Sequence, residues 1–252
     1  MPNPYSSSPG TFVTGQEKIT ENKIDCILSS IRPFGQNPGY DELQRKALDS
    51  WFAVSRTVVL FNLPEDTGNI QRSGLLYVGP DKNPPSIKHM LATLKDRQEE
   101  EIVALVNSDI VLGPEVGKIP KVVLANSLGR AWACTSYRYV IDPEVPEWLG
   151  SPVDKGLDFF CSTVRIWNDV ARQIPGVLTV GRPVWDNWMN SFFHMYINAS
   201  KYFDITPWVC VLHPKHEEHF RLLATDEGGV EAACKTIIHP GGLPRLKLNL
   251  LQ

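Results

Sequence analysis

The sequence lacks the features that mark several large classes of protein. No uninterrupted apolar run approaches the roughly 18 residues that a membrane-spanning helix requires. The first residues, MPNPYSSSPGTFVTGQEKITENK, contain no apolar segment of the kind found in a signal peptide. The five cysteines are widely spaced and form no C-x-x-C pair. We therefore expect a cytoplasmic protein with no membrane partner and with reduced cysteines in its core.

An excess of positive charge is also missing. Lysine and arginine total 25 and aspartate and glutamate total 28, which gives a formal net charge of −3. This balance provides no overall attraction to nucleic acid, although it does not exclude a local basic patch. The sequence has no internal repeat, and no Gly-rich phosphate loop follows its first apolar segment.

Strand and helix patterns alternate along the chain instead. Residues 24–31 have the pattern of a buried strand, 41–54 of an amphipathic helix and 57–62 of a second strand. This order is a βαβ unit, which implies parallel strands and a right-handed crossover. Residues 1–22 are polar and rich in Pro and Ser, and we expect them to form a flexible arm. Residues 23–252 then make one α/β domain with a central mixed, mostly parallel sheet flanked by helices.

The later segments continue the alternation. The further predicted strands are 74–79, 101–106, 131–142 and 208–213. The further predicted helices are 85–96, 120 to about 128, the segment that follows LDFFCSTV and ends at QIPG, and 185 to about 199. The segment EVPEWLGSPVDKG, residues 144–156, is predicted to be a loop.

Three polar clusters fall where predicted strands or turns end, and ligands of open α/β sheets gather at such ends. The first is Asn107-Ser108-Asp109, directly after the strand EIVALV. Its oxygen atoms suit Mg²⁺ or Mn²⁺, although the same residue types are common in plain turns. The second is GRPVWDNW, where Asp186 stands near the start of a helix, as a functional carboxylate or as an N-cap. Its tryptophans, Trp185 and Trp188, suit sugar stacking or a core.

The third cluster is LHPKHEEH. His213 ends a predicted strand, and Pro214 separates it from His216 and His219, so a three-histidine zinc site is disfavoured. A single histidine that joins Asp109 around a divalent cation fits the pattern better.

In this order the segments resemble the GT-A class of nucleotide-sugar glycosyltransferases. LVNSDIVL looks like a variant of the Asp-x-Asp metal motif of that class, with Asn107 in place of the first aspartate. VGRPVWDNW is similar to the segment that carries the acidic catalytic motif, and VLHPKH is similar to the strand with the metal-binding histidine. The resemblance covers roughly residues 24–220 and implies a single GT-A-like, Rossmann-like domain.

The resemblance implies a metal-dependent, inverting transfer of sugar from a nucleotide-sugar, with a UDP-sugar as the expected donor. Mn²⁺ or Mg²⁺ would be held by Asp109 and His213, and Asp186 would act as general base. Asp158 is a second candidate base, or it positions the acceptor. The expected donor-binding residues are Ser29, Arg32, Asp66, Asn107, Ser108, Arg130, Arg138, Arg182 and Trp185.

Other functions stay open at this point. The acceptor is a glycan, a protein, a small molecule or a hydroxymethylated pyrimidine in DNA. The DNA alternative needs phosphate contacts from a local patch that includes Lys118, Lys121, Arg130 and Lys155. A nucleotidyltransferase is a further alternative, which the missing Gly-rich loop disfavours. An inactive sugar-nucleotide-binding module is another, because Asn107 replaces a carboxylate.

Overall fold

The structure, a computed structural model, describes residues 23–119, 132–141, 153–182, 184–197, 202–206 and 211–214. Several predictions fall outside these residues: the arm at 1–22, the helix after Pro120, Lys121, Arg130, His216 and His219, and the side chain of Lys155.

Within these ranges the chain forms nine strands and four α-helices, with two short 3₁₀ turns at Pro64–Thr67 and Pro114–Lys118. In chain order the strands and helices are β1 (Ile24–Ser29), α1 (Pro38–Val54), β2 (Ser55–Leu60), β3 (Leu75–Tyr77), α2 (Ile87–Ala92), β4 (Ile102–Val106), β5 (Val111–Leu112), β6 (Ala133–Ile141), β7 (Val153–Thr163), α3 (Val164–Gln173), α4 (Trp185–Tyr196), β8 (Tyr202–Asp204) and β9 (Val211–Pro214).

These strands form one mixed sheet. Its order is β3-β2-β1-β4-β7-β6-β9-β5, and β8 also pairs with β6. The pairs β1–β2, β1–β4, β2–β3, β6–β8 and β6–β9 are parallel, whereas β4–β7, β6–β7 and β5–β9 are antiparallel. The predicted mixed, mostly parallel sheet is confirmed. Because β7 runs against β4 and β6, its first half pairs with the end of β6 and lies beyond the carboxyl end of β4.

Helices cover both faces of the sheet. On one face α1 buries Trp51 against residues of β1, β2 and β4. On the other face α2, α3 and α4 pack against side chains of β4 and β7, with Trp167, Phe160 and Phe193 at the centre. The nitrogen Nε1 of Trp167 donates a hydrogen bond of 2.8 Å to the carbonyl oxygen of Val103 in the sheet. Burial of large aromatic side chains thus fixes the helices on the strands.

Several elements differ from the sequence-based prediction. α1 begins at Pro38 rather than at 41 because the side chain of Asn37 accepts hydrogen bonds from two N–H groups of the first turn. The segment Val153–Gly156, predicted as loop, is the start of β7. The strands β5 and β8 were not predicted, since two or three residues are too few to show a period.

Three of the five cysteines lie in the described residues. Cys26, Cys134 and Cys161 are buried and free, as expected. Burial raises the pKa of the Cys26 thiol to about 12, which makes it an unreactive core side chain. In the part of the chain that the structure describes, no helix combines the length and the apolar character needed to cross a membrane.

Candidate active site

Polar and charged side chains from four strands meet at one edge of the sheet. Asn107 and Asp109 follow β4, Arg138 lies late in β6, Asp158 lies in β7, and His213 lies in β9. They meet because β4, β6 and β9 run in one direction and β7 runs in the other. The two aspartates, Asn107 and His213 are each 5–7% exposed. Their mutual electrostatic interactions are therefore weakly screened by solvent.

Asp158 is the anchor of this cluster. Its Oδ2 accepts a hydrogen bond of 2.7 Å from Nη1 of Arg138, and its Oδ1 accepts one of 3.4 Å from Nδ2 of Asn107. Burial raises the pKa of Asp158 to about 6, and Arg138 opposes that rise. The carboxylate is therefore ionised at neutral pH and holds the guanidinium in place. These contacts favour a role in which Asp158 positions neighbouring groups over a role as a second general base. Both roles stay predictions.

Asn107 connects two of the three segments that the sequence singled out. Its Oδ1 accepts a hydrogen bond of 2.9 Å from the N–H of Ser108, which is partly buried beside it. The same oxygen would lie 3.1 Å from a Cβ added to Gly181, so the backbone at Gly181 packs against it. Gly181 has φ +74°, a conformation that favours glycine. The amide of Asn107 therefore holds neighbouring groups together.

Asp109 and His213, the predicted metal ligands, lie together. Oδ2 of Asp109 is 3.5 Å from Nε2 of His213. Two atoms at this separation can both contact one divalent cation at its usual ligand distance of about 2.1 Å. In the described residues no group of three or more His, Cys, Asp or Glu side chains forms a metal site. The pair thus fits a cation that takes its remaining ligands from water and from substrate phosphate, as Mg²⁺ commonly does.

Asp186 lies in the first turn of α4, and its carboxylate interacts electrostatically with Arg138 of the cluster. The N-cap position belongs to Val184, so the interpretation of Asp186 as the N-cap residue is wrong. Burial raises the pKa of Asp186, while hydrogen bonds from the N–H groups of Asn187, Asp186 and Leu157 and the charge of Arg138 lower it. Val184 has φ 84°, a strained conformation for a β-branched residue, and such strain is concentrated at functional sites.

The predicted donor-binding residues near β1 and β2 have partners of their own. Ser29 is fully buried, and its Oγ donates a hydrogen bond of 2.8 Å to the carbonyl oxygen of Val106. The guanidinium of Arg32 is exposed and lies 4.4 Å from the ring centroid of Tyr40. Asp66 accepts a hydrogen bond from the N–H of Leu63 and closes a 3₁₀ turn. Their roles in donor binding stay predictions.

Arg182, also predicted to bind the donor, is partly buried in the turn before α4. Its N–H donates a hydrogen bond of 3.3 Å to the carbonyl oxygen of Thr179. The turn that carries it packs against Asn107 through Gly181. Arg182 thus follows directly after Gly181, which contacts Asn107 of the cluster. The role of the Arg182 side chain in donor binding stays a prediction.

The two tryptophans beside Asp186 belong to the core. Trp185 is 2% exposed and meets Phe160 edge-on at 5.5 Å between ring centroids. Trp188 is 7% exposed and stacks on Phe192 at 5.2 Å. A ring enclosed in this way presents no open face to a sugar, which favours the core interpretation of both residues.

Replacement of Trp185 by alanine should lower the free energy of unfolding by about 3–5 kcal/mol, because it empties a volume inside the core. Urea denaturation of the wild type and the variant measures this difference. Sugar stacking by Trp185 predicts the opposite pattern, in which ligand affinity falls while the unfolding free energy stays close to that of the wild type.

Two buried amides that the sequence analysis missed fix the loop after β1. Asn62 accepts a hydrogen bond from the N–H of Ile31 and donates one to its carbonyl oxygen, at 2.9 and 2.8 Å. Gln44 makes the same two contacts with Arg32, at 2.6 and 3.2 Å. Each amide thus satisfies the backbone N–H and carbonyl groups that a neighbouring strand would otherwise pair with, and holds the loop in a single conformation. Their sequence signal is weak, since Asn and Gln are ordinary surface residues.

The chain is similar in fold to solved structures of S. aureus TarS. The similarity to TarS in complex with UDP has a TM-score of 0.56 at 12% sequence identity and covers 85% of this chain and 64% of that chain. The similarity to TarS in complex with UDP-GlcNAc has a TM-score of 0.55 at 12% identity and covers 86% and 67% of the two chains. No protein-family model and no curated protein matches the sequence. Together with the sheet topology, the likeness confirms the GT-A-like α/β fold.

Proposed function

We propose that the chain binds a nucleotide-sugar, with a UDP-sugar as the donor, and transfers the sugar to an acceptor hydroxyl. The observation that carries this proposal is the meeting of Asp109, His213, Arg138 and Asp186 at the carboxyl edge of one sheet. The TarS structures that share the fold contain UDP and UDP-GlcNAc, which supports this class of ligand. Since the chain spans 64% of the TarS chain with UDP, the activity is inferred from its own residues.

The donor carries a diphosphate, and the cluster offers positive charge for it. The planar guanidinium of Arg138 matches phosphate oxygens in geometry and in charge. Asp109 and His213 would hold Mn²⁺ or Mg²⁺, which would neutralise the charge of the departing diphosphate. The site is buried, so these charges act at low effective dielectric.

Asp186 supplies the base on the acceptor side. The acceptor hydroxyl loses its proton to this carboxylate as its oxygen attacks the anomeric carbon from the face opposite the diphosphate, which inverts the configuration. Burial shifts the pKa of Asp186 upward from its ordinary value, toward the pH at which a general base is most effective. The N–H of Leu157 helps to orient the carboxylate.

Isothermal calorimetry tests the proposal directly. UDP and a panel of UDP-sugars should bind, and their affinity should rise when Mn²⁺ replaces a chelator. UMP, which lacks the second phosphate, is the matched control and should bind more weakly. If no nucleotide-sugar binds under either condition, the proposal is wrong. If a UDP-sugar binds and is neither hydrolysed nor transferred over long incubation, the chain is an inactive binding module.

Replacement of Asp109 by alanine should abolish the gain in UDP affinity that Mn²⁺ produces. The loss should be at least about tenfold, because it removes one of two protein ligands and removal of even a supporting group costs that much. The control is Asp49→Ala, which removes an aspartate whose side chain is 73% exposed. A Mn²⁺-dependent gain that survives in Asp109→Ala would refute the role of Asp109 as a metal ligand.

A further inference from the structure

The side chain of Arg138 runs along β7 to reach its partner. In the register of the two strands Arg138 lies opposite Asp154, whereas its guanidinium bonds to the carboxylate of Asp158 farther along β7. The pairing of β6 with β7 is irregular at this point, with register shifts on both sides of Tyr137. The arginine side chain therefore lies over the stretch of β7 between Asp154 and Asp158, directly above Gly156.

Gly156 leaves the space that this path requires. A Cβ added to Gly156 would lie 2.6 Å from Nε, 2.8 Å from Cζ and 3.2 Å from Cδ of Arg138. The first two distances are shorter than a Cβ atom shows to its neighbours in folded proteins, so any side chain at position 156 must displace the guanidinium. The backbone of Gly156 is not in the left-handed region, so its own conformation does not require glycine. The need for glycine comes from Arg138.

We infer that Gly156 is a positioning residue, which acts through Arg138 by keeping open the path of the guanidinium to Asp158. The inference rests on the proposed function in one respect, that Arg138 contacts the donor diphosphate. The arginine tip is flexible and its side chain is 12% exposed, so a methyl group at position 156 moves the tip while the strands stay paired. Gly156 therefore determines the position of the Arg138 guanidinium in the site.

The test is a double-mutant cycle on UDP binding, measured by calorimetry in the presence of Mn²⁺. Gly156→Ala should weaken binding at least about tenfold, the effect of losing a hydrogen bond between charged groups. In the Arg138→Ala background the same substitution should have no further effect. Gly79→Ala is the matched control, since a Cβ at Gly79 meets nothing within 4 Å. Wild-type affinity in Gly156→Ala, or losses that add in the double variant, would overturn the inference.

A second readout reports on the arginine without any ligand. The Nε–H group of Arg138 gives an NMR signal that is assigned by its loss in Arg138→Lys. In Gly156→Ala this signal should shift and exchange faster with water, while the backbone amide signals of the remaining strands and the melting temperature stay near those of the wild type. In Gly79→Ala it should not move. An unchanged signal in Gly156→Ala would refute the positioning role.

The two measurements separate the inference from the proposed function. If the wild type binds no UDP or UDP-sugar, the proposed function is wrong, and the NMR signal of Arg138 still decides whether Gly156 positions it. If UDP binds and only the cycle is additive, the proposed function stands and the inference fails.

Discussion

Replacement of Asp186 by asparagine should lower the turnover of sugar transfer by about 10²-fold or more, the usual contribution of a well-placed general base. Asparagine keeps the shape of the side chain but cannot take a proton from the acceptor hydroxyl. The affinity for the donor and the melting temperature should change little, because the amide oxygen can still accept the N–H groups that surround the carboxylate.

The control for this experiment is Asp41→Asn in α1. Asp41, like Asp186, is an acidic residue in the first turn of its helix, and its Oδ2 accepts a hydrogen bond from the N–H of Gly35. Both substitutions remove a negative charge from a helix N-terminus, which costs a few tenths of a kcal/mol to about 1 kcal/mol. Only the change at Asp186 should affect turnover. Full activity in Asp186→Asn would contradict the catalytic role of Asp186. Asp158 would then be the candidate general base.

The dependence of the rate on pH gives an independent check. Because burial raises the pKa of Asp186, the carboxylate accepts its proton at a higher pH than an ordinary aspartate does. The value of kcat/KM should therefore fall as the pH drops through a pKa above the usual aspartate range. This limb of the profile should be missing from the residual activity of Asp186→Asn.

Much of the sheet was predictable because its first half is built from long, regular segments. The order strand, helix, strand in residues 24–60 determines parallel pairing and a right-handed connection, and the structure has the predicted pairing. The start of β7 was not predictable in the same way. The letters VDKG have the composition of a turn, and they form a strand because they pair with the end of β6. Such pairing between distant segments overrides local preference.

The candidate site was partly predictable for a similar reason. Carboxyl ends of parallel strands meet at one edge, which is why Asp109 and His213 could be expected to approach each other. The ion pair of Arg138 and Asp158 could not be foreseen, since it depends on the antiparallel direction of β7. The core position of Trp185 could not be foreseen either, because an aromatic beside an aspartate has the same sequence pattern in a core and in a sugar site.

The second large effect concerns Asp158 and the pH dependence of stability. Burial raises the pKa of Asp158 from 3.8 to about 6, with Asp109 adding to the rise and with Arg138 and His213 opposing it. Compared with the unfolded chain, the folded state therefore binds the proton of Asp158 more tightly. The stability from this group is fully present below pH 3.8 and is lost as the pH rises through about 6.

Asp158→Asn removes this titration and keeps the shape of the side chain. The unfolding free energy of the wild type minus that of Asp158→Asn should therefore fall by about 2 kcal/mol between pH 4 and pH 7, which is most of the effect of roughly two pKa units at 1.36 kcal/mol each. At any single pH the difference also contains the lost ion pair with Arg138, so only its change with pH reports the titration. Urea denaturation of both proteins in chelator, at intervals of pH, measures it. If the unfolding free energies of the two proteins change in parallel with pH, Asp158 has the same pKa in the folded and the unfolded chain. That result would contradict the conclusion that burial raises the pKa of Asp158.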